Sequence, residues 1–154
     1  MKARTILLSL ALCFVSVAVC FAQDAFMGTW KLNEAKSKLS SGAPKNSTVV
    51  YEAASEDVKV TIDGTDSAGK PTHNQWTGKF DGKDYPVKGD SNEDTRSVTK
   101  IDDHTLGFNV KKSGNVTTSG RIAASADGKS RTVTTSGTDA QGKKFKSTAV
   151  YDKQ

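Results

Sequence analysis

The sequence predicts an all-β chain: an antiparallel up-and-down meander of about ten strands closed into a barrel, with at most one short helix after the first strand. Three observations carry this. Apolar and polar residues alternate in short runs, as in Asp57-Val-Lys-Val-Thr-Ile-Asp63, and as Leu106, Phe108 and Val110 set against Gly107, Asn109 and Lys111. Such alternation marks a sheet with one dry face. Turn chemistry closes the runs at Asp66–Gly69, Asp81-Gly82, Ser113-Gly-Asn115, Asp127-Gly128 and Asp139–Gly142, where glycine or asparagine supplies the positive φ of a tight hairpin. Third, a long twisted meander removes its exposed edges by closing on itself. An open two-layer sandwich is the alternative arrangement.

In chain order, residues 1–22 read as an export signal and 23–154 as a single barrel domain. Met1–Arg4 is a basic head, Thr5–Phe21 is nearly all apolar, and Cys20-Phe21-Ala22 offers the small residues a signal peptidase reads, which predicts cleavage after Ala22. A retained membrane anchor is the alternative; the small-residue exit and the lack of a basic stop-transfer flank argue for removal, so stable membrane insertion is not expected. Strands are expected at 26–33, 47–55, 57–65, 71–80, 84–89, 95–101, 105–112, 116–125, 131–138 and 143–152. Between the first two, Asn33–Leu39 has helix formers behind a possible Asn33 cap, and Ser40-Ser-Gly-Ala-Pro44 stops it after one or two turns. One phrase occurs twice, Gly64-Thr-Asp-Ser-Ala-Gly-Lys70 and Gly137-Thr-Asp-Ala-Gln-Gly-Lys143. Either a duplication or two independent solutions to one hairpin geometry accounts for it.

Composition narrows the function classes. Both cysteines, Cys13 and Cys20, lie in the signal, so residues 23–154 carry no thiol for disulfides, thiolate catalysis or cysteine-bound metal. The net charge of +5 falls to +3 once Lys2 and Arg4 are set aside, and the remaining lysines alternate with acids, unlike a nucleic-acid footprint. Leu, Ile, Val and Phe make up only about 15 per cent of that stretch, a level associated with disorder, and it is their ordering that argues for a fold.

The stretch Asp24-Ala-Phe-Met-Gly-Thr-Trp-Lys-Leu32 resembles the first strand of the fatty-acid-binding protein family, within the lipocalin-like superfamily that shares a Gly-x-Trp near the N-terminus. Ser147-Thr-Ala-Val-Tyr-Asp-Lys153 is similar to that family's last strand. The resemblance implies a barrel in which Trp30 plugs the closed end, with Gly28 allowing the backbone to bend or approach closely. Two departures separate the chain from the intracellular fatty-acid binders. Residues 34–46 are too few for their helical lid, and where their last strand carries Arg-x-Tyr this one has Ala149-Val-Tyr151, with the tyrosine kept and the arginine lost.

Strand parity places Val58, Val60, Ile62, Trp76, Phe80, Leu106, Phe108, Val110, Val116, Ile122, Val133, Phe145 and Tyr151 on the dry face, sharing it with Asn74, Arg131, Thr135 and Ser147. Trp76, Phe108, Arg131, Thr135 and Tyr151 are the candidate ligand-binding residues: a buried Arg131 needs a partner that an anionic ligand head supplies. The alternative leaves Arg131 at a strand end in water. Arg121 has the wrong parity unless a bulge resets the strand. Neither His73 nor His104 has a visible partner for acid–base work, and Asp102-Asp-His104 reads as a solvated turn rather than a metal site. Asp90-Ser-Asn-Glu-Asp94 has the start of a calcium loop, but Thr95 and Ile101 stand where glycine and glutamate belong. Asn46-Ser-Thr48 and Asn115-Val-Thr117 fit the glycosylation pattern. No convergent set of catalytic groups and no cofactor motif emerges. The expected function is an exported, non-enzymatic barrel holding a small hydrophobic or amphipathic ligand, with no nucleic-acid partner. The alternative is a structural or protein-interaction barrel filled by its own side chains.

Overall fold

The computed structural model describes residues 25–41, 43–90, 92–139 and 142–154; the expected signal peptide and its cleavage point lie outside the described residues. Ten strands follow one another: β1 (Gly28–Leu32), β2 (Lys45–Ala54), β3 (Asp57–Thr65), β4 (Pro71–Gly78), β5 (Asp81–Lys88), β6 (Thr95–Asp102), β7 (Thr105–Lys112), β8 (Asn115–Ala124), β9 (Ser130–Thr138) and β10 (Lys144–Lys153). Each pairs antiparallel with its neighbours in sequence, and β1 also pairs with β10, so the sheet closes into a barrel. Trp30 marks the seam, standing opposite Val49 of β2 on one side and Lys153 of β10 on the other. An open sandwich is excluded by this register.

The one helical element among the described residues is a 3-10 turn, Glu34–Lys36, capped by the Asn33 side chain accepting from the Lys36 N–H. After it the chain crosses the barrel end and is stitched to β10 by reciprocal backbone hydrogen bonds between Lys38 and Thr148, at 2.7 and 2.8 Å. Leu39 is turned toward the core. A single apolar residue in a polar loop thereby anchors a cover over the end remote from Phe26.

The interior follows strand parity at nearly every position. Phe26, Trp30, Val58, Trp76 and Leu106 are the largest fully buried side chains, each worth about 1.5–3 kcal/mol of transfer free energy. Val116 is the correction. It was expected inside and is 53 % exposed, because Val110 pairs with Thr118 while the next residue, Lys111, pairs with Val116, so that Thr117 is extra. One inserted residue flips the parity of everything beyond it.

Gly28 has φ +100°, a conformation that L side chains rarely adopt. The backbone reversal there lets Phe26 fold under the barrel end. The twice-occurring phrase makes one hairpin twice. In each copy the aspartate N–H bonds the lysine carbonyl at 2.9 Å, the aspartate carboxylate accepts from the lysine N–H, and the glycine takes a positive φ of 80° or 78°. The β4–β5 seam is the weakest, with only Gln75↔Lys88 and Trp76↔Val87 in register.

Candidate functional site

The barrel interior divides into a packed lower part and a small upper space. In the lower part Trp76 stacks on Phe80 with ring centres 6.3 Å apart and meets Tyr85 edge-on at 5.8 Å, while Phe80 meets Phe26 edge-on at 6.4 Å. The Trp76 indole N–H is satisfied by the Arg96 carbonyl at 2.9 Å. Phe108 lies across β8 where Gly120 leaves room; a Cβ there would fall 2.5 Å from its ring. Trp76 and Phe108, two of the five candidate ligand residues, therefore pack against the protein itself.

Arg131 is buried, with 2 % of its surface exposed, and not at a strand end in water. Its guanidinium carbon lies 4.7 Å from the Trp30 ring centre, 4.9 Å from Tyr51 and 5.0 Å from Tyr151. The barrel register dictates this cage: Arg131 pairs with Tyr151 across β9–β10, and Trp30 with Val49, one inward position from Tyr51, across β1–β2. Face contacts of this kind supply roughly 0.5–2 kcal/mol each, depending on desolvation. The Arg131 Nε and Nη1 groups have no hydrogen-bond partner within the protein, so the rings replace water only in part. Trp30 is fully buried and its indole N–H donates to the Phe26 carbonyl at 2.8 Å.

Tyr151 links the two parts. Its ring covers the guanidinium and also lines the upper space, and its hydroxyl donates to the Asn46 carbonyl at 3.0 Å. Burial pushes that hydroxyl up to about 12, against the pull of Arg131 and with a further push from Tyr51. The space measures about 60 Å³ and is walled by Thr135, Ser147, Val133 and Ala149 from β9 and β10, with Leu32, Leu39 and Pro44 above. Beyond the cover a recess of about 210 Å³ lies between Ser40, Ser41, Asp139, Lys143, Lys144 and Phe145. Thus Thr135 and Tyr151 share the upper space, and Asn46, Leu39 and Pro44 join them without a motif that announces them, while Arg131 lies below it against Trp30, Tyr51 and Tyr151.

The remaining polar groups are accounted for locally. Arg121 is exposed, as its parity requires. His73 does have a partner, its Nδ1 2.6 Å from Asp63 Oδ1, because the two stand opposite each other across β3–β4. The Asp102 carboxylate accepts from the His104 backbone N–H, a bond that holds its pKa below the usual carboxylate range, so this is a capped turn. In the 90–94 stretch Asp94 is taken by Lys112 and the Ser113 N–H, and Glu93 is buried in an ion pair with Arg96, leaving no free carboxylate set for calcium. Burial raises the Glu93 carboxyl despite the pull of Arg96. Among the described residues no group of three His, Cys, Asp or Glu side chains is placed to hold a metal ion.

No family model matches the chain, and no curated protein does. Among solved structures it is similar to a redesigned β-barrel, mFAP1, bound to DFHBI, at 18 % identity and TM-score 0.45 over 86 % of this chain and 98 % of that one. It is also similar to EF1p2_mFAP2b bound to DFHBI, at 14 % identity and TM-score 0.48 over 86 % and 97 %. A third, the redesigned β-barrel b11L5F_LGL, gives 17 % identity and TM-score 0.46 over 88 % and 97 %.

Proposed function

We propose that the protein is an exported, non-enzymatic barrel that binds a small amphipathic molecule at the covered end, between Tyr151 and the cover made by Leu39 and Pro44. The observation that carries this reading is the space walled by the Thr135 and Ser147 side chains and the Tyr151 ring on one side and by Leu32, Leu39, Val133 and Ala149 on the other. A few polar groups set among apolar walls is the usual make-up of a small-molecule site. Volume sets the size of the guest. At about 60 Å³ the space is far below the roughly 300 Å³ at which ligand pockets begin, so a ligand enters only when the cover lifts and joins it to the outer recess. A space of this size does not hold a long-chain fatty acid.

The same volume favours a second reading, a structural or protein-interaction barrel filled by its own side chains, and the seating of Phe108 against Gly120 supports it. Fluorescence titration of Trp76 and Trp30 with a short fatty acid and with anilinonaphthalene sulfonate separates the two, alongside mass spectrometry of molecules that copurify. The ligand reading expects saturable binding that Thr135→Leu abolishes by filling the space while the fold is kept. No binding by the native protein, or binding unaffected by Thr135→Leu, leaves the filled barrel as the reading.

A further inference from the structure

The outer surface of the barrel is not uniform in how it treats charge. On the β2–β7 side, most cations are matched to acids: Lys59 with Glu52, Lys79 with Glu56, Lys100 with Asp103, Lys111 with Asp84 and Lys112 with Asp94, at 2.6–3.3 Å, with Lys70 and Lys88 outside these pairs. On the outer face of β8–β10 the pattern stops. Arg121, Lys144 and Lys146 are exposed and form none of the ion pairs found among the described residues. Between Asp127 in one turn and Asp139 in the other, β8 and β9 present no acid, and β10 presents only Asp152 near its far end, where it meets Lys36.

The register arranges what remains into rows. Lys146 stands beside Ser136, which stands beside Ser119; in the next row Thr148, Thr134 and Arg121 follow one another, and Lys144 stands beside Thr138. Neighbours across strands are ~4.8 Å apart, and successive rows along a strand ~6.8 Å. A hydroxyl both donates and accepts, except that Ser119 already donates to Asn109 Oδ1 at 2.7 Å and is left to accept, while the cations only donate. A surface so composed complements a partner that is itself rich in hydroxyls and carries spaced negative groups.

We infer that the outer face of β8–β10 is a docking surface for a linear acidic polysaccharide, with Arg121, Lys144 and Lys146 taking its carboxylates and Ser119, Thr134 and Ser136 its hydroxyls. Other polyanions fit less well. No aromatic side chain belongs to the outward set of these strands, so bases of a single-stranded nucleic acid find nothing to stack on. The outward set has Val116 and Val150 as its apolar side chains but no aromatic anchor of the kind around which protein interfaces are organised. The inference is independent of what the barrel interior holds.

Retention of the protein on immobilised polygalacturonate, with neutral dextran as the blank, tests it at low and high ionic strength. Retention on the uronate polymer that weakens as salt rises is expected. The triple variant Arg121→Glu, Lys144→Glu, Lys146→Glu should lose it by at least about tenfold, equivalent to some 1.4 kcal/mol. The control, Lys59→Glu, Lys79→Glu, Lys100→Glu, changes net charge equally and should bind like the native protein, with thermal melts showing both triples folded. Retention no better than on dextran overturns the inference, as does an equal loss in the control triple. Tighter binding to a single-stranded oligonucleotide or to anionic lipid vesicles than to polygalacturonate overturns it too.

Discussion

The guanidinium carbon of Arg131 stands 4.7 Å from the centre of the Trp30 ring, with Tyr51 and Tyr151 closing the cage. A buried cation held by π-faces and no carboxylate is an arrangement whose net contribution is small, since desolvation offsets most of the attraction. Packing is the larger part. Replacing Arg131 by Met, which nearly keeps the volume and removes the two unpartnered guanidinium nitrogens, should leave urea-unfolding stability within about 1 kcal/mol of native or above it. Arg131→Ala, which opens a cavity, should lose about 2–4 kcal/mol. Equal losses in both variants would show that the charge itself holds the barrel end.

Tyr151 predicts an alkaline limit to stability. Its pKa is raised to about 12 in the folded barrel against an ordinary value of 10.0. The neutral phenol is the form the fold accommodates, so the contribution is complete below pH 10 and is lost as pH climbs from 10 through 12. The loss amounts to roughly 2.7 kcal/mol over that window at ~1.36 kcal/mol per unit. Stability measured against pH should fall in that window, and Tyr151→Phe should flatten this part of the fall. The variant should itself start about 1 kcal/mol lower, having lost the bond to the Asn46 carbonyl.

Glu93 and Arg96 form a buried pair, their side chains 5 % and 12 % exposed. Breaking one half leaves the other charge uncompensated, so Arg96→Met, which strands the Glu93 carboxylate, should destabilise by about 3–5 kcal/mol at neutral pH. Glu93→Leu with Arg96→Met should recover most of it. Because burial raises the Glu93 pKa, the native carboxyl takes up its proton earlier than in the unfolded chain as pH falls. Losing Arg96 pushes that pKa higher still, so the difference between native and Arg96→Met proteins should shrink as pH falls and the stranded carboxyl is protonated. A difference constant down to acid pH would mean that the pair contributes nothing through its charge.

Much of this fold was legible because hydrophobic alternation and turn chemistry are local signals. All ten strands appear within three residues of their expected limits, and Asn33 caps the short turn assigned to it. Strand closure was less local, read from the Gly28–Trp30 resemblance and the edge argument, and the register of β1 with β10 confirms it. What escaped were features set by a single extra residue or by the third dimension. The bulge at Thr117 sends Val116 outward, yet nothing in Asn115-Val-Thr117 distinguishes a bulged strand from a straight one. Arg131 was assignable to the inner face by parity; that it would be sandwiched by rings required knowing the shear between β1, β2 and β9. The helix-forming stretch expected to run to Leu39 ends at Lys36, because the next residues are held by β10, Lys38 bridging to Thr148 more than a hundred positions away.

Gly120 predicts how tightly the middle of the barrel is packed. A Cβ at that position would meet both the Phe108 ring and the Thr134 carbonyl at 2.5 Å. Gly120→Ala should destabilise by about 1–3 kcal/mol through overpacking. Adding Phe108→Leu should restore only part of this, because the backbone carbonyl does not move aside. Full restoration would show that the ring alone sets the limit.

The twinned hairpins offer a last prediction about what their shared phrase is for. Asp66 accepts from the N–H groups of Ala68 and Lys70, and Asp139 accepts from the N–H of Lys143, so each carboxylate clips its own turn. Both turns are exposed and rest on separate strand pairs, β3–β4 and β9–β10. Asp66→Ala and Asp139→Ala should each lose about 0.5–1.5 kcal/mol, and the double variant should lose their sum within ~0.5 kcal/mol, as distant sites do. Exchanging Ser67-Ala68 for Ala-Gln and Ala140-Gln141 for Ser-Ala should leave the melting temperature unchanged, since the aspartate, glycine and lysine common to both copies supply the hairpin's bonds. Marked coupling between the two aspartates would mean that the turns act on each other.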